Sequence, residues 1–173
     1  FFTYHNYAFE VLEVLKELAI GCYWLNLRWN YINDENLKKL SDFNVRHIFF
    51  GWESGSDRLL KLMKKGTTRE IILDNCKILG RYPLIGVDAG AIIGLPTESK
   101  DEVRQTIDLT LKIAKILPNV TFNLGTYLPF PGTDLYEVAI GEGFCPPIET
   151  KGWGIFDHQF GKIEPAWIKW YTK

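Results

Sequence analysis

The chain has 173 residues, 46% of them hydrophobic, a mean hydropathy near zero and a formal net charge of −1. That is enough for one domain, or most of one, with a substantial core, and it excludes a disordered chain. The charge gives no general pull towards nucleic acid or anionic membrane, and no apolar run reaches the ~18 residues of a membrane span. The opening FFTYHNYAFE lacks the basic segment, apolar stretch and cleavage site of a signal peptide, so a cytoplasmic location is expected. It also opens without Met on an apolar pair, so the chain reads as a fragment of a longer protein. Cys22, Cys76 and Cys145 have neither zinc spacing nor a disulfide framework; they read as free thiols, and no metal site is expected.

Phe1–Tyr4 reads as the end of a strand. Phe9, Leu12, Leu15 and Leu18 then recur at helical spacing, with Gly21 as the stop. Cys22–Leu27 is a short aromatic-rich run, expected as a buried strand, and Arg28 follows it. Asn33 is placed to cap a helix with Asp34 and Glu35 in its first turn. Val45–Phe50 is the next strand. After it, Ser56 or Asp57 caps a helix bearing Leu59, Leu60, Leu62 and Met63, ended by Gly66; Lys61, Lys64 and Lys65 read as its solvated face. Thr67-x-x-Glu70 opens a further helix closed by Gly80, and Ser99-x-x-Glu102 opens a third. Leu84–Ile93 and Val120–Leu128 are the remaining strands, and a short helix follows Thr133–Asp134. Residues 1–143 read as one α/β unit and 144–173 as an irregular C-terminal extension, with a last helical turn at Pro165–Tyr171.

Strands and helices alternate, and the strands are almost continuously apolar, as in a parallel sheet covered on its faces. Roughly five strands fall short of the eight of a full barrel. A partial barrel and an open sheet both fit this pattern. In such folds the functional residues lie just past the carboxyl ends of strands. That rule singles out Arg28, the Glu53–Ser56 elbow, Gly94–Glu98 and Tyr127–Thr133. An ionised Glu53 accepts hydrogen bonds from a ribose diol or an amino group, and Arg28 suits a carboxylate. Pro131-Gly132 is a type II turn pair that leaves backbone groups free to meet a base edge. Each has a plainer reading: Arg28 paired at the surface, Glu53 a helix-start acid, Pro129 and Gly132 ordinary turn residues. Asp88 is either an internally bonded carboxylate or a substrate contact.

GWESGSDRLLKLMKKGTT, then AIIGLPTES, then YLPFPGTDLY together resemble the later part of radical S-adenosylmethionine enzymes. The likeness is strongest to the group that often carries a separate cobalamin-binding domain, such as the anaerobic magnesium-protoporphyrin monomethyl ester oxidative cyclase. The resemblance runs from about Arg28 to Gly143. It implies a partial (β/α)6 TIM-like barrel with a parallel sheet, truncated at its N-terminal unit. It implies S-adenosylmethionine as cofactor, with Arg28, Glu53 and Ser54 near its ribose and methionine. Ile92, Gly94 and Pro96 would line the adenine, and Leu128, Pro129 and Gly132 would meet its edge. It further implies, in the parent protein, a [4Fe-4S] cluster, 5′-deoxyadenosyl radical chemistry and an upstream cobalamin domain. The family's C-x-x-x-C-x-x-C motif is absent from this sequence, so the expected function is a fragment of such an enzyme, inactive alone. Its substrate would be a small molecule, bulky, such as a tetrapyrrole, with no nucleic-acid or membrane partner evident. The alternative is a catalytically silent α/β binding or interaction module derived from such a barrel. An ordinary aldolase or isomerase barrel lacks support, because no lysine or carboxylate pair sits at a strand end for that chemistry.

Overall fold

The computed structural model describes residues 4–156 and 167–170. Helix α1 (His5–Glu17) leads to strand β1 (Trp24–Asn26), a 3₁₀ turn (Trp29–Tyr31) and α2 (Asp34–Asp42). Strand β2 (His47–Glu53) is followed by α3 (Asp57–Leu62) and α4 (Arg69–Leu79), then β3 (Gly86–Ile93), α5 (Lys100–Ile116), β4 (Val120–Thr126) and α6 (Asp134–Gly141). A second 3₁₀ segment covers Thr150–Phe156.

All four strands are parallel and lie in the order β1-β2-β3-β4. Parallel strands in chain order, joined by crossovers of one hand, place their helices on one face, which is winding of the barrel type. Burial agrees. Ile48, Phe50 and Trp52 of β2 and Val87, Ala89 and Ala91 of β3 join residues of α1, α2, α4 and α5 in one core. The residues between them point the other way, and β2 alternates half-buried and buried along its whole length. The expected sheet covered on both faces is therefore corrected: among the described residues, helices cover the outer face only. The inner face keeps an apolar look in the sequence because Trp24, Phe49 and Ile92 share it with glycines. Four strands, rather than five, are found among the described residues.

Several boundaries move for identifiable reasons. Tyr4 caps α1 instead of ending a strand, while residues 1–3 lie outside the described residues. That helix stops at Glu17, and Ala19 takes the left-handed backbone (φ 56°) expected of Gly21. β1 is three residues long with Leu25 alone buried in it, so it is half exposed rather than buried. α3 ends at Leu62, well before Gly66. Thr68, not Thr67, accepts the capping bond from the Ile71 N–H of α4. The caps at Asn33, Ser56 and Ser99 form as expected. Of the last expected helical turn, residues 165, 166 and 171 lie outside the described residues, and 167–170 form turns. No helix among the described residues is long and apolar enough to cross a membrane.

A second cluster sits over the carboxyl ends of β3 and β4. Leu59, Leu95, Tyr127, Ala139, Phe144, Trp167 and Ile168 pack there, with Phe144 and Trp167 edge to face at 5.3 Å. The late aromatics thus roof one side of the strand ends. Because only the outer face is core, Phe50→Ala should cost about 3–5 kcal/mol in chemical denaturation. Asn123→Ala on the exposed inner face should stay within about 0.5 kcal/mol. Equal losses at the two positions would contradict this layering.

Candidate functional site

The strand ends form one continuous rim, since each strand pairs in register with the next. Phe49 lies beside Asn26 on one side and Asp88 on the other, and Asp88 lies beside Thr121. Gly51, Gly90 and Asn123 form the row above, and Ile92 and Gly125 lie next to each other near the top. The rim ends at Glu53 on β2, Gly94 after β3 and Tyr127 after β4, whose N–H donates to Ile93 O at 2.9 Å.

Glu53 is the last residue of β2 rather than part of a loop, and it has φ 65°. A non-glycine residue at positive φ is uphill, and such residues gather at functional sites. A bulge between Gly51 and Glu53 turns the strand there. The Glu53 carboxyl lies back over Gly51, and a Cβ there would push it aside. Its Oε1 accepts from Lys65 Nζ at 2.8 Å. Lys65 was expected on a solvated helix face; it lies beyond the end of α3, and its carbonyl accepts from Trp29 Nε1 at 2.9 Å. Trp29 follows Arg28, so the β1 connection, the α3–α4 loop and Glu53 meet on one side of the rim.

The elbow after Glu53 is locked from beneath. Ser54 is fully buried; its Oγ accepts from the Ser56 N–H at 3.1 Å and lies 3.4 Å from Thr106 Oγ1. The Gly55 N–H donates to Thr106 Oγ1 at 2.9 Å, and a Cβ at Gly55 would collide with the α5 backbone at Gln105. Glu102 then gathers the donors. It accepts from Ser56 Oγ at 2.7 Å, from Arg58 Nε and Nη2 at 2.8 Å each, and from the Ser99 N–H at 3.0 Å. The Arg58 bonds, first, and the serine bonds after them hold the Glu102 carboxyl down at about 2. Arg58 also donates to Thr97 O at 2.9 Å and Thr97 Oγ1 at 3.1 Å, and Thr97 is itself left-handed at φ 66°.

Gly94 (φ 80°) gives its N–H to Glu98 Oε2, and its carbonyl accepts from Trp167 Nε1 at 2.9 Å. Glu98 is 4% exposed and its Oε1 has no partner among the described residues. Burial, the largest influence, pushes its carboxyl up to about 7. On the open face, Asp88 accepts from Trp24 Nε1 at 3.0 Å and lies 3.8 Å from His47 Nδ1.

Of the residues singled out from the sequence, Arg28 and Gly132 are exposed, and Glu53, Ile92 and Leu128 are half-buried at the rim. Ser54, Gly94, Pro96 and Pro129 are enclosed. Ser54 has its hydroxyl committed inside the protein, and the Gly94 carbonyl is taken by Trp167. Sequence reasoning missed Lys65, Arg58, Glu102 as a hub, and Trp167. Only Glu102 carried a signal, as the last residue of a capping box.

The Radical SAM superfamily matches residues 2–110. A Methanocaldococcus jannaschii protein named a methylthiotransferase is 33% identical over 135 residues, covering 76% of this chain and 29% of that protein. An uncharacterized methyltransferase of Pyrococcus horikoshii is 30% identical over 160 residues, covering 92% of this chain and 32% of that protein. The chain thus spans about three-tenths of the length of these relatives. Among solved structures, coproporphyrinogen III oxidase of Escherichia coli, a radical SAM enzyme, superposes with a TM-score of 0.59 at 14% identity. That match covers 75% of this chain and 29% of the oxidase, and it shows the same fold.

Arg58→Ala leaves Glu102 short of its two strongest donors and should destabilise the chain by about 1–3 kcal/mol. Loss below about 0.3 kcal/mol would remove Glu102 as a hub. Glu98 sets a pH dependence of definite sign. Its folded pKa is raised, so its contribution is whole below the unfolded value of about 4.3 and is lost as pH rises to about 7. Stability by urea titration should fall by on the order of 1–3 kcal/mol between about pH 4.5 and pH 7.5, and Glu98→Gln should flatten that fall. A fall of the same size in the variant would assign it to other groups.

Proposed function

The chain belongs to the Radical SAM superfamily, and we propose that its rim is part of an S-adenosylmethionine pocket in an enzyme that transfers a methyl or methylthio group. The observation that carries the pocket is Glu53: a left-handed strand-end carboxylate, its side chain 16% exposed, folded over a glycine at the open edge of a parallel sheet. Family membership supports an enzyme as the parent protein. The transfer reaction is favoured by the names of the two relatives; oxidative cyclisation of a tetrapyrrole has no such support. The cobalamin domain rests on the sequence resemblance alone and forms no part of the proposal.

The residues present fit S-adenosylmethionine better than they fit an iron–sulfur cluster. Among the described residues no three His, Cys, Asp or Glu side chains converge on a metal position. Cys76 is buried with its thiol pushed up to about 12, Cys22 is half-buried with its thiol raised by burial, and Cys145 is exposed. These three do not form a cluster site. When bound, S-adenosylmethionine supplies a sulfonium whose carbon–sulfur bonds can be broken. The protein's part is orientation and exclusion of water. Glu53 would accept from the ribose hydroxyls, Arg28 would pair with the methionine carboxylate, and Ile92 and Leu128 would line the adenine. Trp167 and Ile168, seated on Gly94, keep water from the β3 end. The silent-module reading keeps the same rim and differs only in whether a parent protein supplies the chemistry.

Calorimetric titration with S-adenosylmethionine tests the pocket. Glu53→Ala should weaken binding about tenfold, the worth of one hydrogen bond to a charged acceptor. Unchanged affinity in that variant would remove Glu53 from the pocket.

A further inference from the structure

Two adjacent lysines leave the α3–α4 loop in opposite directions. Lys65 pairs with Glu53 at the end of β2, and Lys64 pairs with Asp134 at the start of α6. The loop is shaped for this. Lys64 (φ 54°) and Gly66 (φ 65°) are both left-handed, so a sharp backbone turn separates the two side chains. The Lys65 backbone is pinned independently of its side chain, by Trp29 Nε1 on its carbonyl and by its N–H on Leu60 O at 3.0 Å. The result is a strap across the rim, from the β2 end to the connection after β4.

The Lys65 ammonium occupies Oε1 of Glu53, one of the two carboxylate oxygens that a ribose diol would engage together. Its side chain is 37% exposed while that of Glu53 is 16% exposed, so the cation comes in from the solvent side. We infer that Lys65 is a specificity-determining residue: it stands in for the ligand's donor group on Glu53 in the free protein and is exchanged off it on binding. This rests on the S-adenosylmethionine reading of the rim and goes beyond it. A ligand offering only hydroxyl or ammonium donors takes Glu53 but leaves Lys65 without a partner. A ligand that also carries a carboxylate re-pairs both charges. The rim therefore selects ligands that combine a donor face with an anion, and it discriminates against neutral nucleosides.

The test compares adenosine, which has the diol and no carboxylate, with S-adenosylmethionine, which has both. Each is titrated by calorimetry against the chain and its Lys65→Met, Lys65→Arg and Glu53→Ala variants. Methionine keeps the apolar stem, and the backbone bond to Trp29 does not use the side chain, so the loop should hold. Lys65→Met should bind adenosine about two- to fivefold tighter, because a part-buried ion pair no longer competes for Glu53. The same variant should gain nothing for S-adenosylmethionine, so the affinity ratio of the two ligands falls by a similar factor, and Lys65→Arg should restore it. Adenosine binding that is unchanged or weaker in Lys65→Met overturns the exchange, and sensitivity of both ligands to Glu53→Ala would then leave the pocket standing. If neither ligand shows Glu53-dependent binding, the pocket reading falls and this inference falls with it.

Discussion

One carboxylate holds together the loops that follow β2 and β3. Glu102 stands in the first turn of α5, where it closes a capping box with Ser99. The same two oxygens receive Ser56 and Arg58 from the far side of the β2 connection. A bidentate arginine and two serines on one largely buried acid make a charge-assisted hub worth more than any of its bonds alone. Its consequence is positional. The elbow after Glu53 and the loop after Gly94 cannot move independently, because Arg58 grips Thr97 with the same guanidinium that grips Glu102. Two non-glycine residues, Glu53 and Thr97, keep left-handed backbones on either side of this hub. Strain of that kind persists only where the surroundings over-determine it.

The fold was largely readable from the chain, because caps and strand ends are local signals. Asn33, Ser56 and Ser99 cap where their spacing said they would. What could not be read was convergence over distance. Arg58 and Glu102 are 44 positions apart, and nothing in the sequence links them. Lys65 was hidden by its neighbours: with Lys61 and Lys64 it looks like a charged helix face, and only the early end of α3 at Leu62 frees it to turn back. The sheet misled for a different reason. On the inner face Phe49, Ile92 and glycines separate the polar His47, Glu53 and Asp88, so β2 and β3 show no regular alternation and read as strands buried on both sides.

The open inner face gives the rim its meaning. Parallel sheets rarely leave a face bare, and this one presents Asn26, Asp88, Thr121 and Asn123 along rows leading up to Glu53. Asp88 is neither fully internal nor free: Trp24 holds one oxygen and His47 stands nearby. The late aromatics roof the β3 and β4 ends and leave the β1 and β2 side open, where Arg28, Lys65 and Glu53 lie. On that side the proposed pocket has a preset carboxylate, a lysine paired with it and a glycine floor, position rather than reactive groups.

A crystal structure of the chain grown with S-adenosylmethionine tests that design most directly. The account predicts the ribose hydroxyls on Glu53, with the Lys65 ammonium withdrawn from Oε1 and the adenine between Ile92 and Leu128. A ligand seated elsewhere, with the Glu53–Lys65 pair intact, would contradict it.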